Sequence, residues 1–402
     1  MIAIYTITSG LHDEHSVEAL TREFLSSIGV EYEYKGSDFS DYGQADLSLI
    51  YVRTGGTEGI FKPMLPALRA AARQPIYLLA SPKSNSLAAS MEILSYLRKQ
   101  GVEGEIFHGS AEYLRSRIGK ACAVETARRK IASARLGVIG RPSDWLIASG
   151  ADYSVVKDRI GAEIVDIPME ELLAAVQALP EDPVGARIAC GEPLFDAAPA
   201  VKDAAPGAWR IYKALRLLVD KYSLSGLTIR CFDLLGTVHN TGCLALAKLN
   251  AEGVVATCEG DIPAMLSMVI ARALTGVSGF QANPSRIDPE TGEVLFAHCT
   301  VPFDMVSRYE FDTHFESGIG VGIRGHVGEG PVTVFKVSGS LDCFFAEEGM
   351  LLRNQSAPNL CRTQVVLHLA DTSYFLTNPI GNHHIIIPGH CKAALESLMS
   401  AL

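Results

Sequence analysis

Three segments in the second half of the chain bring carboxylate, amide and imidazole side chains together. The first, residues 257–263, holds two acids between a predicted strand and a predicted helix. The second, residues 280–286, follows that helix and contains an Asn, and the third, residues 381–384, contains an Asn and two His. Such side chains suit a divalent cation that keeps open positions for substrate oxygens. The residue types therefore predict a metal-assisted site, although their spacing forms no compact ligand motif.

Each segment also has a purely structural interpretation. Asp261 can cap the helix that follows it, and Asn283 before a proline can start a turn. His383 can be a satisfied core or surface imidazole. Glu259 precedes the cap position, and an acid at the end of an apolar strand is costly unless a partner neutralises it. Eight of the 11 His lie after residue 230, including His298 in a strand-like run, and this density favours the chemical interpretation.

The first two thirds of the chain alternate β-branched runs with helical patterns, which predicts parallel sheets with right-handed crossovers. Strands are predicted over residues 2–8, 47–52, 76–79, 136–140, 163–167 and 227–232. Helices are predicted over residues 15–26, 60–72, 86–100, 208–222 and 264–274, with a connector over 179–203.

After about residue 291, short apolar runs separated by turn residues predict an antiparallel sheet or barrel, followed by a helix over 392–402. The expected fold class is α/β, with Rossmann-like parallel-sheet domains over 1–134 and 135–290. A C-terminal antiparallel, β-rich and barrel-like domain is expected over 291–402. The glycine-rich run 318–325 has no helix after it, so it does not qualify as a nucleotide-binding motif.

Composition narrows the classes of partner. The chain has 402 residues, with 35 Lys and Arg against 45 Asp and Glu, and a formal net charge of −10. An acidic balance without a basic run argues against nucleic acid or an anionic membrane as a partner. No apolar stretch approaches the roughly 20 residues of a membrane span, and no signal peptide is recognisable. Nine Cys at irregular spacing predict free thiols, so we expect a soluble, cytoplasmic protein.

Four sequence stretches resemble the L-fucose isomerase and L-arabinose isomerase superfamily. They are CEGD at 258–261, FQANPSRID at 280–288, AHCT at 297–300 and NPIGNHHIIIPGH at 378–390. The resemblance is clearest over residues 230–402. It implies conversion of an aldose to a ketose through an enediol, with a divalent metal, usually manganese, or else magnesium, cobalt or zinc. It also implies a small-molecule sugar or sugar derivative as the substrate, and a homo-oligomer, either a trimer or a hexamer.

The resemblance also implies roles for individual residues. Glu259 falls on a metal ligand that is also the acid/base, and His383 falls on the late histidine ligand, with His384 as the alternative register. Asn283 stands where the family has an acid, and an amide can ligate through oxygen but cannot accept the proton. The second proton carrier is left open among Asp261, Asp233, His298 and a metal-bound water. The expected residues are Glu259, Asp261 and His298 for catalysis, Glu259, Asn283 and His383 for the metal, and Asp233, His384 and Arg286 for the substrate.

Because Asn283 stands where the family has an acid, two functions other than isomerisation stay open. The same scaffold can run retro-aldol or epimerase chemistry, or the protein can bind carbohydrate without catalysis. Arg53, Arg141 and Arg286 are candidates for an anionic group on the sugar, such as phosphate, sulfonate or carboxylate, or are solvated surface residues.

Overall fold

The structure is a computed structural model that describes residues 1–72 and 74–402, and it divides into two compact units. The first unit comprises residues 1–129 and 397–401, and the second comprises residues 130–396 and 402. None of the helices described combines the length and the apolar character that crossing a membrane requires.

The first unit is built on a parallel sheet. Its strands are β1 (Ile2–Ile7), β2 (Glu33–Gly36), β3 (Leu47–Val52), β4 (Ile76–Ala80) and β5 (Gly104–Phe107), in the order β2-β1-β3-β4-β5. The helices are α1 (Glu14–Ile28), α2 (Glu58–Ala71), α3 (Ser86–Lys99) and α4 (Ala111–Ala132). All six residues of β3 are buried, as expected for a central parallel strand with both faces covered.

A second parallel sheet opens the second unit. Its strands are β6 (Arg135–Ile139), β7 (Glu163–Ile167), β8 (Gly226–Ile229) and β9 (Val255–Cys258), in the order β7-β6-β8-β9. Its helices are α5 (Tyr153–Ile160), α6 (Met169–Ala178), α7 (Pro183–Cys190), α8 (Glu192–Asp196), α9 (Pro199–Tyr222), α10 (Asp233–Val238), α11 (Cys243–Ala251) and α12 (Ile262–Thr275). The last residues of β6, β8 and β9 are paired in register, so the loops that follow these strands leave from one edge of the sheet.

The same unit ends in a closed antiparallel barrel with the strand order β10-β11-β16-β15-β14-β17. Its strands are β10 (Phe280–Asp288), β11 (Glu293–His298), β14 (Gly330–Val337), β15 (Phe344–Gln355), β16 (Thr363–Leu369) and β17 (His384–Pro388). Strands β12 (Val306–Asp312) and β13 (Gly322–Val327) form a separate hairpin, and the helices are a 3₁₀ turn (Phe303–Met305) and α13 (Ser373–Thr377). Helix α14 (Lys392–Ala401) begins in this unit, and its residues 397–401 belong to the first unit. Phe296, Val334, Val365 and Ile386 belong to the hydrophobic cluster that fills this part of the unit.

The predicted fold class is confirmed, and some elements differ in detail. The sequence predicts only a three-residue apolar run at the start of β15, but this strand has 12 residues. Half-exposed acids such as Glu347 interrupt its apolar run because one face of a barrel strand points outward. Asn283 lies within β10 rather than in a turn, and Pro284 is tolerated because the register shifts beside it. The domain boundaries after residues 134 and 290 stay predictions.

Candidate metal centre

Glu259 projects from the carboxyl end of β9, at a sharp turn into α12. Its backbone is in the left-handed region, with φ +66°, and so is that of Gly260, with φ +70°. A Cβ on Gly260 would lie 2.5 Å from the carbonyl oxygen of Arg141, so only glycine fits there. A glutamate at positive φ is uncommon and strained, and such residues cluster at functional sites.

The barrel brings two histidines to the same place. His298 is the last residue of β11, and His383 immediately precedes β17. Strand β10 lies between these two strands and pairs with both, with Ala297 opposite Asn283 and His384 opposite Ala282. The imidazole centroids of His298 and His383 are therefore only 5.4 Å apart, with an interplanar angle of 77°.

Glu259, His298 and His383 form a compact cluster of potential ligands. Glu259 Oε1 lies 3.3 Å from His383 Nε2 and 3.9 Å from His298 Nε2. The three ligand atoms all lie within 4.8 Å of one another. His383 Nε2 is buried and has no hydrogen-bond partner in the described chain. One carboxylate oxygen and two imidazole nitrogens, one of them without a hydrogen-bond partner, fit a divalent transition metal with coordination positions left open.

A buried carboxylate orients the central imidazole. Asp261 Oδ2 lies 2.8 Å from Nδ1 of His383, and its Oδ1 accepts a 2.7 Å hydrogen bond from the backbone of Ala264 as the cap of α12. The ammonium of Lys336 lies 3.5 Å from the same Oδ1, and both side chains are buried. A carboxylate on Nδ1 directs Nε2 toward a metal, as is usual for histidine ligands.

The electrostatics follow from this packing. Burial alone raises the pKa of Glu259, but the interactions with the nearby imidazoles of His298 and His383 outweigh it and hold the pKa well below its usual range. Burial lowers the pKa of His298, whose Nδ1 lies 2.7 Å from the hydroxyl of Thr300. Burial also lowers the pKa of His383, but the hydrogen bond to Asp261 and the charge of Glu259 dominate and raise it to about 9.

An aromatic wall borders the carboxylate of Glu259. Trp145 Nε1 donates a 2.6 Å hydrogen bond to Glu259 Oε2, and its ring packs edge-on against Phe232 at 5.0 Å. Phe232 in turn contacts the ring of His314, 5.7 Å away. His314 and Glu316 lie in the loop between β12 and β13. Burial and the negative charge of Glu259 raise the pKa of Glu316.

Comparison with known proteins finds similarity to sugar isomerases. No family model matches the chain. It is similar to sulfoquinovose isomerases. The protein from Alkalicoccus urumqiensis is 23% identical over 261 residues, 63% of this chain and 59% of that protein. That from Clostridium sp. (strain MSTE9) is 28% identical over 151 residues, 37% of this chain and 31% of that protein.

A third sulfoquinovose isomerase, from Priestia aryabhattai, is 22% identical over 235 residues, 57% of this chain and 53% of that protein. The chain thus spans between 31% and 59% of the length of these three relatives. A solved structure, D-threo-3-hydroxyaspartate dehydratase from Delftia sp. HT23, matches at 14% identity over 98% of this chain and 84% of that chain. Its TM-score of 0.15 is too low to indicate a shared fold.

The other expected site residues lie in varied surroundings. Asn283 is half-buried, and its Oδ1 accepts a 3.1 Å hydrogen bond from the amide of Asn382. His384 is buried, with Nδ1 3.0 Å from the carbonyl of Asn382 and Nε2 3.0 Å from the hydroxyl of Tyr374. Asp233 pairs with Arg230 at 3.1 Å. Their roles in metal or substrate binding stay predictions.

The three candidate arginines differ in exposure. Arg286 is exposed on β10, and Arg141 is exposed and pairs with Asp144 at 3.4 Å. Arg53 is buried in the first unit, where it pairs with Glu18 at 3.0 Å.

Four residues of the site are not predicted from the sequence: Trp145, Lys336, His314 and Glu316. Each stands alone in its segment, and periodicity treats Lys336 as an interruption of a strand. For Lys336 alone the sequence offers a signal, because a lysine within the otherwise apolar run of β14 is unusual.

Proposed function

We propose that this protein is a metal-dependent aldose–ketose isomerase of the L-fucose and L-arabinose isomerase superfamily, acting through an enediol. The cluster of Glu259, His298 and His383 carries the proposal, because it brings three potential ligand atoms within 4.8 Å of one another, and one of them, His383 Nε2, is buried without a hydrogen-bond partner among the described residues. The similarity to sulfoquinovose isomerases, at low identity over part of their length, supports it.

The donor set favours particular cations. Two imidazole nitrogens beside one carboxylate oxygen suit a transition metal such as zinc or cobalt better than magnesium, which prefers oxygen ligands alone, and the resemblance to the isomerases implies manganese. We propose Glu259, His298 and His383 as the ligands, with manganese as the resident metal and Asn283 as a further oxygen ligand. A cation held by these residues would supply Lewis-acid polarisation of the sugar oxygens.

Isomerisation also needs groups that move a proton between adjacent carbons. Glu259 is the first of these. Asp261 is fully buried, whereas Glu259 is only partly buried, and Asp261 Oδ2 lies 2.8 Å from Nδ1 of His383, which supports a role in orienting His383 rather than in touching the sugar. We propose Glu316 as the second carboxyl group, because it lies in the same loop as His314, whose ring contacts the aromatic wall beside Glu259, and because burial and the charge of Glu259 raise its pKa.

The relatives suggest the first substrate to test. Sulfoquinovose is an aldose with an anionic sulfonate, and an exposed arginine such as Arg141 or Arg286 can meet such a group. Assembly as a homotrimer or homohexamer is part of the proposal.

The test combines metal analysis with product analysis. Purified protein is expected to hold about one manganese ion per chain, and with manganese it should convert sulfoquinovose, L-fucose or L-arabinose to the corresponding ketose. Glu259→Gln should abolish turnover, whereas Glu290→Gln, in an exposed turn, should leave it unchanged. Cleaved fragments would establish retro-aldol chemistry instead. Sugar binding without metal or turnover would establish a binding protein, and full activity of Glu259→Gln would overturn the proposal.

A further inference from the structure

The carboxylate of Glu259 is held from two sides by different groups. Its Oε1 faces the two imidazoles, at 3.3 Å and 3.9 Å, while its Oε2 accepts the 2.6 Å hydrogen bond from Trp145. We propose that Trp145 is a positioning residue that holds Glu259 as a one-oxygen ligand of the metal centre. This inference rests on the proposed function, because it assumes that a cation occupies the cluster.

Trp145 ends a short segment, residues 141–145, that lies between β6 and α5 and that we call the strap. Hydrogen bonds with the rest of the protein hold this segment in place. The backbone N–H of Ser143 donates a 2.9 Å hydrogen bond to the carbonyl of Glu259. The guanidinium of Arg230 donates to the carbonyl of Pro142 at 2.7 Å and to the carboxylate of Asp144 at 2.7 Å. The strap therefore contacts both the backbone and the side chain of Glu259, so the indole N–H is in place before any ligand arrives.

The chemistry of indole suits this task. It offers a single N–H donor and no acceptor, so it cannot take the metal itself. Because it carries no charge, it does not repel a dication as an arginine or lysine in the same place would. A hydrogen bond to a carboxylate is stronger than one between neutral groups. With one oxygen committed to Trp145, Glu259 cannot rotate both oxygens onto the cation, and coordination positions stay open for the sugar.

Packing alone does not account for the contact. The Trp145 side chain is 51% exposed, and its described ring contact is the edge-on one with Phe232. A ring retained only for its apolar area would lie deeper in the core. The hydrogen bond and the packing can be separated by an analogue that keeps the ring and removes only the N–H.

The chain has two tryptophans, which makes a direct optical test possible. Trp209 lies in α9, stacked on Tyr212 at 4.6 Å. Trp209→Phe therefore leaves Trp145 as the only tryptophan. Titration of this variant with Mn²⁺, a paramagnetic quencher, is expected to quench the fluorescence with saturation at one ion per chain. Diamagnetic Mg²⁺ should quench far less, and Trp145→Phe, which retains Trp209, should show little quenching.

The decisive variant carries β-(3-benzothienyl)alanine at position 145, which replaces the N–H by sulfur in a ring of nearly the same shape. We expect its Mn²⁺ dissociation constant, measured by calorimetry, to rise at least tenfold, as for other groups that orient metal ligands. Trp145→Phe should show a similar loss, with an unchanged circular dichroism spectrum. An analogue that binds Mn²⁺ as tightly as the parent would overturn the positioning role while leaving the proposed function intact. A parent protein that binds no Mn²⁺ would overturn both.

Discussion

At the scale of single residues, the candidate centre depends on charges that are buried and paired. Asp261 and Lys336 are both fully buried and lie 3.5 Å apart, and Asp261 also holds His383. Burial raises the pKa of Asp261, but the charge of Lys336 and the hydrogen bond from His383 outweigh it and lower the pKa to about 2. Asp261 is therefore ionised at neutral pH, and its negative charge needs a partner inside the protein.

Removal of the buried ammonium should destabilise the protein strongly. Lys336→Met leaves the Asp261 carboxylate without its cation, and breaking a buried pair in this way costs about 3–5 kcal/mol. Arg353→Met is the matched control, because it breaks a solvent-screened ion pair with Glu293 on the same barrel, and such surface pairs contribute little to stability. Urea unfolding of both variants checks the prediction, and equal losses would contradict it.

A second prediction for a single residue concerns the role of the Glu316 carboxyl group in turnover. Since burial and the charge of Glu259 raise the pKa of Glu316, its carboxyl group keeps its proton to higher pH than an ordinary glutamate. We expect Glu316→Gln to lower kcat by about 10²-fold or more and to leave the Mn²⁺ affinity unchanged. Steady-state kinetics and calorimetry measure the two quantities. A variant with normal kcat would assign the second proton transfer to another group.

At the scale of elements, the turn from β9 into α12 determines where Glu259 points. Gly260 precedes the helix and Gly276 ends it, and both have positive φ, +70° and +75°. They differ in surroundings, because a Cβ on Gly260 would meet the backbone of Arg141 at 2.5 Å, whereas a Cβ on Gly276 would meet no atom of the described residues within 4 Å. A substitution at Gly276 therefore tests backbone strain alone, whereas a substitution at Gly260 tests backbone strain together with a steric clash.

Alanine substitutions at the two ends of α12 should have unequal effects. Gly276→Ala carries only the cost of an alanine in the left-handed region, about 1 kcal/mol. Gly260→Ala adds a backbone clash, so it should lose more stability and should also weaken Mn²⁺ binding by displacing Glu259. Denaturation and calorimetry on both variants test this, and matching results for the two would show that the close approach has no effect.

At the scale of the whole molecule, the candidate centre joins two substructures of the second unit. The parallel sheet supplies Glu259 through β9, and the barrel supplies His298 and His383 through β11 and the start of β17. A cation held by all three side chains binds only when both substructures are folded. Metal binding and folding are therefore thermodynamically linked.

Added Mn²⁺ should stabilise the protein by mass action. At a free concentration 100 times its dissociation constant, the free energy of unfolding should rise by about 2.7 kcal/mol, and a chelator should reverse the effect. Differential scanning calorimetry with and without Mn²⁺ measures the shift in Tm. Glu259→Gln is the control, and an equal shift in that variant would place the stabilising ion elsewhere.

The sequence alone predicted the fold class, because period-two and helical patterns report which faces are buried. It also singled out Glu259, His298 and His383, whose types and positions at strand ends matched the resemblance. Only the tertiary structure decided that these three converge, since closure of the barrel places β11 and β17 on either side of β10. It also revealed Trp145, Lys336 and Glu316, because a single side chain leaves no periodic signal and acts through neighbours that are distant along the chain.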